Sequence, residues 1–367
     1  MKIKKFRAEN FRNITECEIE FCDGVNLLYG DNAQGKTNAV EGIYFFSRGK
    51  SFRHSEEREL TRFGAEGFRL YIEYEDNDGV HSLEYASFGR EKRRMKDGYR
   101  VAKMSELVGN FRSVLFFPDN VELVKGGPEE RRAFLNVAIA QVFGAYIDNY
   151  ARYKQVLENR NALLKRASKG QYFDEGELIS WSEMLAESAA YIARDRYKYV
   201  ELLKPHVNRI AGELSGGKEE VIVAYKCDVD EPDADIESLK AQYRLIFTSN
   251  LDKERIVGTS LYGPHRDDLA IDINGVGARS FGSQGQQRSV VLAIKLGEGE
   301  VIKEIYGEEP VFLFDDVLSE LDENRRKYVI CGMKDKQIVI TSCEGDDFSF
   351  ANQVMSVKEG KYVLTHR

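Results

Sequence analysis

Three short stretches carry residue types that could do chemistry on a phosphate. "GDNAQGKT", Gly30 to Thr37, fits G-x-x-x-x-G-K-[ST]; it follows the apolar run "VNLLY" and opens a helix-forming segment. Glycines there let backbone N–H groups curl round phosphate oxygens, and the helix N-terminus adds partial positive charge. Gly30, Asn32, Gly35, Lys36, Thr37 and Asn38 are therefore expected to hold ATP. Lys36 would reach the β and γ phosphates, and the Thr37 hydroxyl would ligate Mg²⁺. "VFLFDDVLSELD", Val311 to Asp322, is a buried-strand pattern that delivers two acids at its end. Asp315 is placed to hold the Mg²⁺ water shell, and Asp316, projecting to the other face, to polarise an attacking water. Lys36 and Asp316 are the expected catalytic residues. The third stretch is "FGSQGQQRS", residues 281–289. Ser283 and Gly285 just before a long apolar-periodic segment make a helix N-terminus open to close approach. Alone, an ordinary Ser cap would account for it.

The elements that must position these residues read as an α/β head with an inserted, mainly helical segment. Residues 1–125 are β-rich apart from the helix after the phosphate loop. Residues 126–256 carry helical periodicity in two long stretches, "PEERRAFLNVAIAQVFGAYIDNYARYKQVLENRNALLKR" and "LISWSEMLAESAAYIARDRYKYVELL", expected to lie antiparallel. Their heptad register is too short-lived for a long coiled coil. Residues 257–367 return to strands, and "PVFLFDD" and "KQIVITS" are apolar throughout, as in a parallel sheet buried on both faces.

Composition excludes several classes. The chain has 367 residues, 42% hydrophobic and 31% charged, so it has ample material for a core and is not disordered. No apolar run approaches the roughly 18 residues a membrane span needs. The basic start "MKIKKFRAENF" has no apolar h-region, so a cytoplasmic protein is expected, with no membrane partner. Five cysteines form no C-x-x-C and read as reduced thiols. The net charge of −8 argues against a uniformly basic coat and leaves room for a local one.

The order phosphate loop, Gly/Gln helix start, then apolar strand with paired acids resembles the head of an ABC ATPase. "GSQGQ" resembles its signature segment, and "LSELD" (Ser319, Glu320, Asp322) its D-loop. The blocks "FRN" (11–13), "GDNAQGKTNAVEGIY", "GKSFR" (49–53), "FFPDNVELVKGGPEERRAFLN", "YGPHRDDL" (262–269), "FGSQGQQRSVVLAIKL" and "LFDDVLSELDENRR" together resemble the RecF family, bacterial recombination-mediator ATPases related to SMC heads. The blocks run from near residue 10 to near 326 and match the helical insertion only weakly. The resemblance adds Arg12 to the nucleotide site. It implies that Ser283, Gly285 and Gln286 act in trans, on ATP held by another subunit, so that ATP closes a reversible homodimeric clamp. It also implies double-stranded DNA and single/double-strand junctions as ligands, RecO and RecR as partners, and RecA loading as the outcome.

Several positions depart from the ABC pattern. Asp316 stands where Glu is usual; being one methylene shorter, it implies slow hydrolysis. The switch histidine is missing after "QIVIT", where Thr341 and Ser342 lie, and "PDN" (Pro118–Asn120) is the nearest match to the Gln-loop. Gly297 and Gly299 inside the signature helix should cost ~1 kcal/mol each relative to Ala. Arg53 is expected to sense nucleotide or touch DNA. Arg90, Lys92, Arg93, Arg94 and Lys96 form a basic hairpin closed by Asp97-Gly98, suited to phosphate-backbone contact. His265, Arg266, Asp267 and Asp268 lack a partnering nucleophile motif and read as structural or interdomain. A transporter subunit would not need about 245 residues between Thr37 and Ser283. An SMC-type structural protein would need long heptads, and a metabolic kinase leaves Ser283–Gln287 without a role.

Overall fold

In the computed structural model, residues 1–53, 55–318, 321–332, 335–343 and 349–366 are described. The chain forms two compact units, one from residues 1–121, 210–218 and 288–367, the other from 122–209 and 219–287. The boundaries read from sequence, 125/126 and 256/257, differ most at the second. The segment 257–287 belongs with the helical unit because strand β10 (Asp268–Ile273) pairs antiparallel with β9 (Val221–Lys226) there.

The first unit holds two six-stranded sheets. One is antiparallel: β1 (Lys2–Phe11), β2 (Ile14–Glu20), β4 (Gly67–Asp76), β5 (Gly79–Phe88), β6 (Glu91–Lys96) and β7 (Tyr99–Arg100), in the order β2-β1-β4-β5-β6-β7. The last two strands are closed by Asp97 and Gly98, both at positive φ (49° and 79°), as the Asp-Gly pattern predicts. The other sheet orders β15 (Lys361–His366), β14 (Gln353–Lys358), β3 (Val25–Tyr29), β13 (Ile338–Ser342), β12 (Val311–Asp315) and β8 (Ser113–Phe116). Its four pairings from β14 to β8 are parallel, with only β15 reversed. All five residues of β12 are buried, which is why its sequence shows no alternation.

Helix α1 (Lys36–Arg48) follows β3 directly. In the helical unit, α3 (Pro128–Val142) and α4 (Tyr146–Ser168) divide what reads in sequence as one periodic stretch. A 41-residue helix, Glu175–Ser215, is longer than its periodicity alone suggests and contains Pro205. It is antiparallel to α4: Arg152 meets Glu187 at 2.9 Å and Arg160 meets Ser182 at 2.9 Å, while Leu163, Leu164 and Leu178 share a core cluster. Among the described residues no helix is long and apolar enough to cross a membrane.

The "YGPHRDDL" stretch is explained inside this unit. Arg196 and Asp267 are both buried, and they pair at 2.9 Å. Tyr225 donates to the same carboxylate oxygen. Asp268 takes Arg131 through both oxygens, at 2.6 and 2.9 Å. The His265 ring lies 3.1 Å from the Ser260 carbonyl through Nε2 and 2.6 Å from the Tyr153 hydroxyl through Nδ1. A carbonyl only accepts, so Nε2 carries the proton and Tyr153 donates to Nδ1. Burial lowers the imidazole pKa to about 4, so the ring is neutral at ordinary pH. Asp267, Asp268 and His265 thus form a polar network, centred on the buried Asp267, within one unit.

Candidate functional site

Parallel register gathers the first two motifs. Strand β13 lies between β3 and β12, with Thr341 opposite both Asp315 and Leu28, and Ser342 opposite Tyr29. The phosphate loop and the two acids therefore emerge side by side at the carboxyl ends of the strands, where open parallel sheets place ligands.

The loop's backbone needs its glycines. Gly30 has φ 151° and Gly35 φ 114°, and a Cβ on Gly30 would lie 2.3 Å from the Val357 carbonyl. Ala33 also takes positive φ, 65°. The turn between β14 and β15 braces the loop from outside: Gly360 N–H donates to the Gln34 carbonyl at 2.8 Å, and Tyr362 Oη to the Gly35 carbonyl at 2.9 Å. Asn38 donates to Asn13 at 2.7 Å, and Asn13 to the Ala33 carbonyl at 3.2 Å. Helix α1 has no side-chain cap. Lys36 is only 6% exposed; its ammonium donates to the Gly30 carbonyl and, at 2.9 Å, to that of Asp31. It also lies 3.9 Å from Cys343 Sγ, which in turn contacts Asn32 Oδ1 at 3.1 Å. A thiol thus follows Ser342 where the sequence lacks a switch histidine.

The acids are organised by one hydroxyl. Thr341 Oγ1 donates to Asp315 Oδ1 at 2.8 Å and accepts from the Asp316 N–H at 3.0 Å. Asp316 is exposed and sits at φ 54°, a left-handed conformation that costs a non-glycine residue energy. Asp315 is 5% exposed, and burial raises its pKa against hydrogen bonds from Thr341 and Thr37. The Thr37 hydroxyl and the Asp315 carboxylate are thus in contact, two hard oxygen donors side by side. That set suits Mg²⁺, which takes one or two protein ligands and completes its shell with waters and phosphate oxygens.

Arg12 and Arg53 converge on Glu41, which is fully buried on α1. Arg12 grips both Glu41 oxygens at 2.7 and 2.9 Å and also donates to Ser55 and to the Glu59 carbonyl. Its guanidinium is committed to the fold beside the loop. Arg53 is the more available of the two: exposed, 3.7 Å from Glu41 and 3.0 Å from Asn38 Oδ1. Asn120, in the "PDN" segment, spends its side-chain oxygen on the Phe117 N–H at 2.9 Å.

The signature segment opens helix α9 (Gln284–Tyr306). The Ser283 hydroxyl accepts from the Gln286 N–H at 3.3 Å, and the Gln286 side chain accepts from the Ser283 N–H at 2.9 Å. This is a capping box. Ser283 is exposed, and because its oxygen accepts, its hydroxyl proton is directed elsewhere. Gly299 has a packing reason: a Cβ would fall 2.6 Å from the Phe312 ring, so glycine lets α9 approach β12. Asp322 receives the Arg325 N–H at 3.0 Å and caps the helix that follows; Ser319 and Glu320 lie outside the described residues.

Alternation along β6 divides the basic hairpin. Lys92 pairs with Glu57, Arg94 donates to the Ala102 carbonyl at 3.1 Å, and Lys96 donates to Asn110 at 2.5 Å. Arg93 points to the other face of the sheet, 3.8 Å from Glu84. The five residues are not one patch.

A phosphate loop beside paired acids at the carboxyl ends of a mainly parallel sheet, with a Ser-capped Gly/Gln helix start, defines a nucleotide-binding head of the ABC type. Residues 2–365 match the RecF/RecN/SMC N terminal domain. The chain is 38% identical over 369 residues to the DNA replication and repair protein RecF of Desulfitobacterium hafniense, covering 98% of this chain and 99% of that protein. It is 36% identical to the protein of the same name from Clostridium novyi, covering 93% and 92%. A solved structure of the recombination mediator protein RecF with ATP, in the RecFOR pathway, aligns with TM-score 0.91 at 33% identity over 99% of this chain and 97% of that one. An SMC head bound to part of ScpA shares the fold, with TM-score 0.57 at 15% identity over 100% and 97%. The chain belongs to the RecF family.

Proposed function

We propose that this protein is an ATP-dependent DNA-binding clamp of recombinational repair and replication restart. The phosphate loop binds ATP, with Lys36 on its β and γ phosphates. Thr37 and Asp315 hold Mg²⁺, which when bound neutralises charge on those phosphates. Asp316 polarises the attacking water, and its short reach makes hydrolysis slow. Ser283, Gly285 and Gln286 of one subunit meet the γ-phosphate held by the other, so ATP joins two copies around double-stranded DNA at gaps and strand junctions. Hydrolysis, stimulated by DNA, releases the clamp. RecO and RecR are the partners and RecA loading is the outcome; relatives named for DNA replication and repair, and for the RecFOR pathway, support this reading. A cytoplasmic location follows from that role.

The observation that carries the proposal is the Thr37–Asp315–Thr341–Asp316 cluster beside the phosphate loop. Sedimentation with and without ATP, in the presence of duplex DNA, tests it. Wild type should dimerise with ATP, Ser283→Arg should bind ATP yet stay monomeric, and Asp316→Asn should prolong the dimer. Normal dimerisation by Ser283→Arg would remove the trans role. A saturating turnover on the order of hundreds per second, well above the median enzyme's, would remove the slow-switch reading.

A further inference from the structure

The outer face of the antiparallel sheet carries a trough that the nucleotide site does not use. Cross-strand register places Glu9, Arg69, Ala86 and Arg93 in one row across β1, β4, β5 and β6. The small side chain of Ala86 leaves a depression between the two arginines. They stand two strand spacings apart, roughly 10 Å. In the adjoining row Glu84 lies 2.9 Å from Arg69 and 3.8 Å from Arg93, so one carboxylate steadies both heads. Both arginine side chains remain well exposed, at 42% and 59%. Arg90 and Arg100 join them around a cavity of about 880 Å³, and Ala86, Met95 and Phe88 supply apolar lining. Phe88 is 51% exposed. The cavity is lined by five basic and three acidic side chains; Lys92 is held by Glu57, and the remaining four cations still leave a local positive excess in a chain of net charge −8.

A cationic track beside an exposed aromatic suits a nucleic acid whose bases are unpaired: arginines take the phosphates, and a base stacks on the ring. Stacking on Phe88 needs a base free of its pair and its neighbours, which a duplex does not offer. We propose that this trough binds single-stranded DNA, with Arg69, Arg93 and Arg100 on the backbone and Phe88 stacking a base. The proposal rests on the DNA-binding reading above and assigns this face to the unpaired side of a strand junction.

Fluorescence anisotropy with labelled oligothymidylate and a duplex of equal length, over a salt series, tests it on the full chain. Arg93→Glu should weaken single-strand binding about tenfold or more and flatten the salt dependence by about one contact. Phe88→Ala should weaken it about fivefold or more without changing the salt slope. Duplex affinity should move less than twofold in both. Melting curves matching wild type establish that the exposed substitutions leave the fold intact. Equal losses for both DNA forms, or unchanged single-strand affinity in either variant, would overturn the proposal. Wild type that binds neither DNA would instead overturn the DNA-binding reading on which it rests.

Discussion

Two helix N-termini in this protein follow glycine-bearing loops and suit phosphate, yet their free ends are finished differently. The phosphate-loop helix α1 begins without a side-chain cap, and the nearby Lys36 ammonium turns back onto the loop's own carbonyls. The signature helix α9 begins with a complete capping box, Ser283 and Gln286 satisfying each other's backbone. The first end leaves its backbone donors for a ligand. The second is already content alone, so a phosphate is for it an added partner. In the proposed clamp, that difference would make one subunit's hold on the nucleotide firm and its neighbour's touch weaker and reversible.

Lys36→Ala should give the largest effect. Removing the ammonium from α1 should cut ATP affinity and hydrolysis on the order of a hundredfold or more, as loss of a preorganised charge contact does. Equilibrium nucleotide binding measures it; an affinity within threefold of wild type would show that the uncapped helix end suffices alone.

Next in size is Thr341→Val, which keeps shape and removes the hydroxyl shared by Asp315 and Asp316. Turnover should fall roughly 10- to 100-fold, the range typical of misplaced catalytic groups, while KM changes little. Thr341→Ser should restore most of the rate. Mn²⁺ affinity, read by electron paramagnetic resonance with ADP bound, should weaken in Val and recover in Ser.

The unit carrying the signature has its own pH signature. His265 has a pKa of about 4 in the folded chain against an ordinary 6.5, so the unfolded chain binds the proton more readily. Its contribution is complete above pH 6.5 and is lost as pH falls toward 4. By pH 5 the loss should reach about 2 kcal/mol. Chemical denaturation across pH should show this slope in wild type and a flatter one in His265→Gln.

The smallest effect belongs to the cap itself. Ser283→Ala should cost about 1 kcal/mol of stability, while Asn38→Ala, in the first turn of the uncapped helix, offers no cap to lose. Equal stability of Ser283→Ala and wild type would mean that the capping box contributes nothing in solution.

Much of the site was legible because local sequence determines it. Gly30 to Thr37 bends as its glycines require, the apolar "VFLF" run becomes a buried strand, and Asp97-Gly98 forms its tight turn. What sequence missed depends on distant strands meeting. Thr341 acts on Asp315 across 26 residues of chain, a relation that exists only through parallel register. The brace on the phosphate loop from Gly360 and Tyr362 comes from the far end of the chain. "EKRRMK" reads as one charge run, but a strand sends alternate residues to opposite faces, so its cations part. Ser283 reads as a cap from sequence alone, and the structure adds the reciprocal bond from Gln286 that completes the S-x-x-Q capping box. Gly299 gave no signal for its packing against Phe312.

The central claim, that ATP held by the phosphate loop of one copy is met by the signature of another, is tested most directly by mixing two defective variants. Lys36→Ala lacks the grip and Ser283→Arg lacks the touch. A mixed dimer of two-fold symmetry holds one composite site with both defects and one with neither, so random pairing restores about a quarter of wild-type sites. ATP hydrolysis and sedimentation of the mixture should show activity and dimers absent from either variant alone. A mixture no more active and no more dimeric than its components would contradict the claim.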